Sequence, residues 1–271
     1  MLDRIRGLVV LAYGMITMAL FFLVSLPVMV ATGSGDFPIW LARFVWSPSC
    51  LWLTRCPLEV RPLPALPSGP LIFVSNHESA LDIWVLLARL PRSVRFIAKK
   101  ELFRLPIFGW YLRLGGHVPV DRSRHAQAVS SLRRAGATVR AGTSLIAFPE
   151  GTRSLDGRVH PFKKGPFVLA MEAGVPVIPV AISGTGQVTP KRIVSIRPGP
   201  IRAAVGEPID PRLFPDKTAL LVEVRRHVIA LHRSLGGLGG DPDQAVAAPG
   251  VEGASAEGQS RTGLSVPRRG R

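Results

Sequence analysis

Cysteine is scarce in this 271-residue chain, in which Cys50 and Cys56 are the only two. Two thiols are too few for a disulfide framework, and their spacing does not match a zinc site. The sequence also lacks a G-x-S-x-G nucleophile elbow, a Walker A loop and a G-x-G-x-x-G turn, which argues against hydrolases, NTPases and dinucleotide-binding enzymes of those types. No two histidines have the spacing of metal ligands, so we expect no metal site.

Acidic residues are few, with 18 Asp and Glu against 34 Lys and Arg, and the formal net charge is +16. Residues 241–271 contain four acids and four arginines, so the whole excess lies in residues 1–240. Such a surplus predicts an anionic partner, which could be a phosphate-bearing small molecule, a lipid headgroup or nucleic acid. No nucleic-acid-binding motif is visible, and 47% hydrophobic residues with a mean hydropathy of +0.27 favour a membrane protein.

A long apolar run begins near the N-terminus. Residues 8–31 contain no charged side chain and follow Arg4 and Arg6. Their number is sufficient to cross a hydrocarbon layer of roughly 30 Å. A signal peptide is the alternative, but its apolar region is usually shorter, at roughly 7–15 residues, and no clear cleavage site follows this run.

A second apolar stretch, residues 37–54, has Arg43 as its only charged residue and is interrupted by Pro48. Since both flanks of the two stretches are basic, the positive-inside tendency favours a hairpin with both ends in the cytosol. A re-entrant or interfacial helix pair fits the short second stretch equally well. We therefore expect residues 1–60 to form a membrane-anchoring helix pair.

The remainder of the chain alternates between short apolar runs and helical patterns, after a proline-rich linker at residues 61–70. The predicted strands are 71–75, 93–98, 117–120, 144–148, 177–182, 193–198 and 201–206, and the predicted helices are 80–90, 125–141, 163–173 and 216–235. This alternation predicts an α/β domain at residues 71–236, with a mostly parallel central sheet and helices on both faces. Residues 237–271 are rich in Gly, Pro, Ala and Ser without aromatics, which predicts a disordered tail.

The most informative motif is Asn76-His77-Glu78-Ser79-Ala80-Leu81-Asp82, which follows the first predicted strand of this domain. An imidazole whose second ring nitrogen is held by a carboxylate can take a proton from a hydroxyl near neutral pH. Because no serine accompanies the pair, the hydroxyl could come from a substrate. An ordinary loop histidine and a carboxylate at a helix start would give the same spacing.

Two further features follow other predicted strands. The turn Phe148-Pro149-Glu150-Gly151-Thr152-Arg153-Ser154 combines a glycine that permits a tight turn with a guanidinium group suited to phosphate. Lys99 and Arg122 lie at the exits of two more strands, within a basic stretch from Arg92 to Arg140. Parallel strands place such exits at one edge of the sheet. A solvated polar turn and a solvated basic surface are the alternatives.

Taken together, these blocks resemble one family, the glycerolipid acyltransferases. NHESALD resembles its N-H-x4-D block, AKKELFRLPIFGWYLRLGGHVPVDR its second block, FPEGTRS its third and VPVIPVAISG its fourth. The resemblance extends from about residue 71 to residue 206, which is half of the chain, and the order and spacing of the blocks match. It implies an α/β domain docked on a membrane through an N-terminal helix pair.

The resemblance also implies a reaction. An acyl group would pass from acyl-CoA or acyl-carrier protein to the sn-2 hydroxyl of 1-acyl-glycerol-3-phosphate and give phosphatidic acid, without a metal or redox cofactor. It assigns His77 as general base, Asp82 as its orienting partner, and the acceptor site to Lys99, Arg122, Glu150, Gly151, Thr152 and Arg153. In this assignment the three cations hold the phosphate and Glu150 holds the glycerol end.

Two alternatives to this substrate assignment remain. The acceptor could be another lyso-lipid, such as lyso-ornithine lipid, or the protein could bind anionic lipid without catalysis. For an enzyme of this kind we expect a bacterial inner membrane, with the catalytic domain on the cytoplasmic face.

Overall fold

A seven-stranded sheet forms the centre of the protein, for which a computed structural model describes residues 1–120, 135–190 and 194–247. The strands are β1 (Leu58–Val60), β2 (Ile72–Ser75), β3 (Val94–Lys99), β4 (Val118–Val120), β5 (Ser144–Ala147), β6 (Val177–Ser183) and β7 (Ile201–Val205). The helices are α1 (Leu2–Thr32), α2 (Asp36–Leu41), α3 (Ser47–Thr54), α4 (Leu81–Arg89), α5 (Phe108–Leu114), α6 (residues 135–140), α7 (Gly165–Ala173), α8 (Thr185–Val188) and α9 (Lys217–Ser234). Ala42–Trp46 is π-helical, and Lys100–Arg104 and Pro211–Leu213 are 3₁₀-helical.

The strand order is β1-β7-β6-β2-β5-β3-β4. Strands β6, β2, β5, β3 and β4 are parallel, whereas β7 pairs antiparallel with β6, and β1 runs parallel to β7. The carboxyl ends of the five parallel strands therefore meet at one edge of the sheet. Strand β2 is the central strand of the seven-stranded sheet and is buried throughout, with β6 on one side and β5 on the other.

Each face of the sheet is covered by a separate apolar core. Successive residues of β2 alternate between them, with Phe73 in one core and Ile72 and Val74 in the other. The first core also contains residues of α1 and α4, and the second contains residues of α7 and α9. This arrangement confirms the predicted mostly parallel sheet with helices on both faces.

Helix α1 carries 11 of the 27 large apolar side chains that are exposed among the described residues. Among the described residues it is the one helix long and apolar enough to span a membrane, and only 22% of its most apolar window is buried. It packs against α2 and α3, and the indole of Trp46 donates a hydrogen bond to the carbonyl oxygen of Gly14 at 3.1 Å. The second apolar stretch is thus helical from Asp36 to Thr54, with the π-helical segment Ala42–Trp46 between α2 and α3.

Three boundaries differ from the sequence-based prediction. Leu58–Val60, expected at the end of the membrane segment, forms the edge strand β1, which is too short to give an alternating pattern. The strand predicted at 193–198 is wrong, since residues 194–198 have no regular secondary structure. Residues 237–247 do not separate from the domain as a tail: the carbonyl oxygens of Gly239 and Ala245 accept hydrogen bonds from Val159 and Phe162.

Candidate active site

His77 and Asp82 meet at the carboxyl end of β2. The strand ends at Ser75 and α4 begins at Leu81, so His77 lies in the intervening loop and Asp82 in the first helical turn. Nδ1 of His77 is 2.7 Å from Oδ2 of Asp82. The Asp82 side chain is fully buried, while that of His77 is 16% exposed. The imidazole can thus be reached from outside while its partner cannot.

The hydrogen bonds of Asp82 determine which nitrogen of His77 carries the proton. Oδ2 also accepts the backbone N–H groups of Glu78 at 2.8 Å and Ser79 at 2.9 Å, and Oδ1 accepts the hydroxyl of Thr185. A carboxylate surrounded by donors is an acceptor for His77 as well, so Nδ1 carries the proton and Nε2 retains its lone pair. Nε2 is the nitrogen that can act as a base.

Two neighbours fix the position of this loop. The amide of Asn76 donates to the carbonyl oxygen of Ile182 at 2.8 Å and accepts from its N–H at 2.9 Å, which joins the ends of β2 and β6. The ring of Phe148 stacks on the imidazole of His77, with centroids 4.0 Å apart. The first contact anchors the loop, and the second limits rotation of the imidazole.

The Phe148–Ser154 turn follows β5, the strand beside β2, and is bonded directly to the histidine loop. The N–H of Ser154 donates to the carbonyl oxygen of His77 at 2.7 Å, and Oε1 of Glu150 accepts the N–H of His77 at 3.1 Å. Gly151 has φ = +81°, in the left-handed region that favours glycine. The structure therefore brings the first and third sequence blocks into one site.

Glu150 is buried beneath this turn rather than presented to solvent. Burial raises its pKa well above the usual value, despite hydrogen bonds from the backbone of His77 and His160 that act in the opposite sense. The nearby charges of Asp82 and Glu78 raise the pKa further. Among the described residues, Oε2 of Glu150 is buried and has no hydrogen-bond partner. The observed contacts make Glu150 a support for the His77 backbone, and its predicted contact with the glycerol end remains a prediction.

Two of the three predicted cations, Lys99 and Arg153, follow or end strands at the same edge of the sheet. Lys99 ends β3, two strands from β2 and hence about 10 Å away by ordinary strand spacing, and its side chain is 56% exposed. Thr152 and Arg153 belong to the turn that contacts His77. Arg122 falls outside the described residues, so its predicted role stays a prediction.

Lys163 is a cation that the sequence patterns did not single out. Its N–H donates to the carbonyl oxygen of Pro149 at 2.9 Å. Its ammonium group lies over the turn, because a Cβ atom added at Gly151 would be 3.1 Å from Nζ. No local motif marks this lysine, since twelve residues separate it from the glycine that it covers.

A second histidine–carboxylate pair was also not predicted. Nε2 of His232, in α9, is 2.9 Å from Oε1 of Glu78, the residue immediately after His77. Both side chains are buried. Since 154 positions separate these two residues, no spacing rule within either segment could have paired them.

His117 does not compete with His77 for the role of base. It is buried, its Nδ1 accepts the N–H of Phe96 at 2.9 Å, and desolvation, with the charge of Arg95 as a smaller cause, lowers its pKa to about 3. It is a neutral structural histidine near neutral pH.

Comparison with known protein families matches residues 57–183 to the acyltransferase family. The matched segment includes both the histidine loop and the Phe148–Ser154 turn.

Several sequence relatives share one name. A chloroplastic 1-acyl-sn-glycerol-3-phosphate acyltransferase of Brassica napus is 41% identical over 175 residues, which are 64% of this chain and 49% of that protein. A protein of the same name from Pseudomonas aeruginosa is 34% identical over 172 residues, 60% of this chain and 66% of that protein. The chain thus spans about half the length of the plant relative.

A solved structure has the same fold. The crystal structure of the 1-acyl-sn-glycerophosphate (LPA) acyltransferase PlsC of Thermotoga maritima superimposes with a TM-score of 0.65 at 28% identity. The match covers 82% of this chain and 94% of that one.

Proposed function

This chain belongs to the acyltransferase family, and from that membership we propose that it transfers an acyl group from a thioester donor to the sn-2 hydroxyl of 1-acyl-glycerol-3-phosphate. The product would be phosphatidic acid, an intermediate of phospholipid biosynthesis. The observation that carries the proposal is the His77–Asp82 pair, bonded through the backbone to the turn that contains Arg153.

The reaction follows from the base at Nε2 of His77. It accepts the proton of the acceptor hydroxyl as the oxygen attacks the thioester carbonyl. The tetrahedral intermediate then expels the thiolate, which takes that proton back from Nε2. A positioned base of this kind accelerates transfer by roughly 10²–10⁴-fold. Because a thiolate leaves readily, the reaction needs no nucleophile from the protein, in agreement with the lack of a serine elbow.

The cations of the site support a phosphate-bearing acceptor. Lys99, Arg153 and Lys163 lie at the edge that carries His77, and Arg122 follows the last strand of that edge. The phosphate of the acceptor does not react. Its binding energy holds the acceptor in the orientation that places the hydroxyl group next to the base. A bare lipid-binding protein would need neither the oriented imidazole nor the buried Asp82.

The membrane is the proposed location of the reaction. The exposed apolar surface of α1 supports insertion of this helix, and a lyso-lipid acceptor resides in the same bilayer. A catalytic domain on the cytoplasmic face, where acyl-CoA and acyl-carrier protein are available, agrees with the basic flanks of the apolar stretches.

The experiment that tests the proposed function is an acceptor and donor comparison with the purified full-length chain. Acyl-CoA or acyl-carrier protein would be supplied with 1-acyl-glycerol-3-phosphate, lyso-ornithine lipid or 1-acylglycerol, while thiol release and product mass are measured. We expect phosphatidic acid from the first acceptor and little product from 1-acylglycerol, which lacks the phosphate. Acylation of lyso-ornithine lipid alone would reassign the acceptor. Liposome binding without thiol release from any acceptor would support the non-catalytic alternative.

A further inference from the structure

Thr185 contacts the catalytic carboxylate from the side opposite to His77. Its side chain is fully buried at the start of α8, and its hydroxyl donates to Oδ1 of Asp82. The other carboxylate oxygen, Oδ2, accepts Nδ1–H of His77. One carboxylate thus joins a threonine and the imidazole, and the threonine hydroxyl limits the rotation that would break the contact with the imidazole.

Glu78 holds Thr185 in place through the backbone on both sides of it. Oε2 of Glu78 accepts the N–H of Gly184 and the N–H of Gly186, each at 3.1 Å. Gly184 has φ = +97°, and a Cβ atom there would be 2.3 Å from the carbonyl oxygen of Pro200. The backbone around Thr185 can therefore approach Glu78 only because glycine occupies position 184.

His232 in turn holds Glu78. Nδ1 of His232 accepts the N–H of Gly239 at 3.0 Å, so Nε2 carries a proton and donates it to Oε1 of Glu78 at 2.9 Å. Oε2 of Glu78 is also 3.4 Å from the Thr185 hydroxyl, which lies closer to Oδ1 of Asp82. The last helix of the domain is thereby connected, through Glu78 and Thr185, to the carboxylate that orients the base.

We propose that Thr185 is a positioning residue for acyl transfer, and that the Glu78–His232 pair places it against Asp82. The proposal rests on the proposed function, since the carboxylate that Thr185 contacts orients the base of that reaction. In this arrangement Thr185 contributes to the rate of transfer and not to substrate binding, because it contacts no surface that a substrate can reach.

The first test replaces the threonine hydroxyl by a methyl group. We expect Thr185→Val to lower kcat by roughly tenfold, the effect of losing one buried hydrogen bond to a charged group. The KM values for donor and acceptor should stay unchanged, and Thr185→Ser should recover most of the rate. An unchanged kcat in Thr185→Val, or an equal loss in Thr185→Ser, would overturn the proposal.

The matched control is Thr189→Val, at the other end of the same short helix. The hydroxyl of Thr189 is buried and has no hydrogen-bond partner in the described parts of the chain. Its replacement should leave kcat unchanged. If Thr189→Val lowered kcat as much as Thr185→Val, the loss would reflect disturbed packing of the helix, and the assigned contact would be wrong.

The second test needs no catalytic turnover and so separates this proposal from the proposed function. In protein labelled with ¹⁵N at histidine, the Nδ1–H resonance of His77 reports its hydrogen bond to Asp82. We expect this resonance to shift in Thr185→Val, and to keep its position in Thr185→Ser and Thr189→Val. An unshifted resonance in Thr185→Val would refute the positioning role, whether or not the wild-type protein transfers acyl groups.

The third test addresses the link to α9. His232→Gln removes the ring that spans Glu78 and Gly239, and we expect kcat to fall while KM is kept. If His232 acts through Thr185, the double variant His232→Gln/Thr185→Val should be no slower than Thr185→Val alone. Losses that multiply in the double variant would show that His232 acts independently, and the proposed link would fail.

Discussion

At the residue scale, three carboxylates crowd the end of one strand, and their surroundings give them different roles. Asp82 and Glu78 are surrounded by N–H and hydroxyl donors, which compensate for their burial. Glu150 accepts the N–H of His77, but its other carboxylate oxygen is buried without a hydrogen-bond partner in the part of the chain that the structure describes. Burial therefore disfavours charge on Glu150, whose pKa is raised.

The raised pKa of Glu150 predicts a pH-dependent stability. A carboxyl group whose pKa is higher in the folded state than in the unfolded state binds its proton more tightly when folded. Its contribution to stability therefore falls as the pH rises above about 4.5, the unfolded value. Glu150→Gln keeps a carbonyl oxygen that can accept the N–H of His77, and it removes the loss of stability caused by ionising a buried carboxyl group. We expect the variant to gain thermal stability relative to wild type between pH 5 and pH 8, in melting curves measured in detergent.

Glu150→Ala is the comparison for that experiment, because it also removes the acceptor of the His77 N–H. We expect Glu150→Gln to keep most of the transfer rate and Glu150→Ala to lose it. If the stability difference between Glu150→Gln and wild type did not change with pH, the raised pKa of Glu150 would be contradicted.

Lys163 and Lys164 offer a second prediction at the residue scale, since they are adjacent and carry the same charge. Lys163 lies over Gly151 in the turn, whereas Lys164 is close to the carboxylate of Asp216 at the start of α9. We expect Lys163→Met to raise the KM for 1-acyl-glycerol-3-phosphate by roughly tenfold, as loss of one charge-assisted contact does, with the KM for the donor unchanged. Both KM values are obtained from initial rates measured at varied concentrations of acceptor and of donor.

Lys164→Met should leave both KM values unchanged. Arg153→Ala should behave like Lys163→Met, because both cations belong to the proposed phosphate site. If the two methionine variants had equal effects, acceptor binding would depend on the overall positive charge of the protein and not on a specific phosphate site.

At the element scale, the amide of Asn76 joins β2 to β6 just before the loop that contains His77. Asn76→Ala would leave the N–H and carbonyl oxygen of Ile182 unpaired in a buried position. Each buried unsatisfied group costs about 1–3 kcal/mol. We expect a lower melting temperature and a loss of transfer activity, measured by calorimetry and thiol release. A variant with wild-type stability would show that Asn76 does not join the strands.

Helix α1 provides the other prediction at this scale. Leu20 is 53% exposed near the middle of the apolar run, and Leu213 is 79% exposed on the catalytic domain. An aspartate at the centre of a membrane helix costs roughly 3 kcal/mol on insertion scales. Leu20→Asp should therefore reduce recovery of the protein with liposomes in flotation, and Leu213→Asp should not. Equal recovery of the two variants would contradict insertion of α1.

The elements that the sequence predicted well are those with a strong local signal. Strands β2, β5 and β6 are continuous apolar runs, and the loops that follow β2 and β5 carry motifs of their own. The shared edge of parallel strands then places His77 near the Phe148–Ser154 turn. Strand β1 gave no such signal, because it has only three residues and is defined by its pairing with β7.

The parts of the site that the sequence did not predict depend on distant partners. Thr185 lies 103 positions from Asp82, and His232 lies 154 positions from Glu78. These side chains have no periodicity or local motif, and only the packing of α8 and α9 against the sheet brings them to the loop. The burial of Glu150 and its contact with the N–H of His77 also arise from the tertiary structure, and its predicted contact with the glycerol end stays a prediction.

At the scale of the whole molecule, charge and hydropathy act together. The apolar surface of α1 favours a bilayer, and the excess of basic residues in positions 1–240 favours anionic headgroups and an anionic acceptor. A lipid that carries phosphate satisfies both tendencies at once. In the proposed function, the reaction takes place at the sheet edge with His77 and its neighbouring cations, and α1 holds this edge at the membrane.

The most direct test of this account compares His77→Ala with His227→Ala, a partly exposed histidine of α9 that pairs with Glu223. Both variants would be assayed with acyl-CoA and 1-acyl-glycerol-3-phosphate, following thiol release and product mass, with melting curves as the control for folding. We predict that His77→Ala folds and binds liposomes but forms almost no phosphatidic acid, while His227→Ala keeps wild-type turnover. Normal turnover by His77→Ala would contradict the assignment of the base and with it the proposed mechanism.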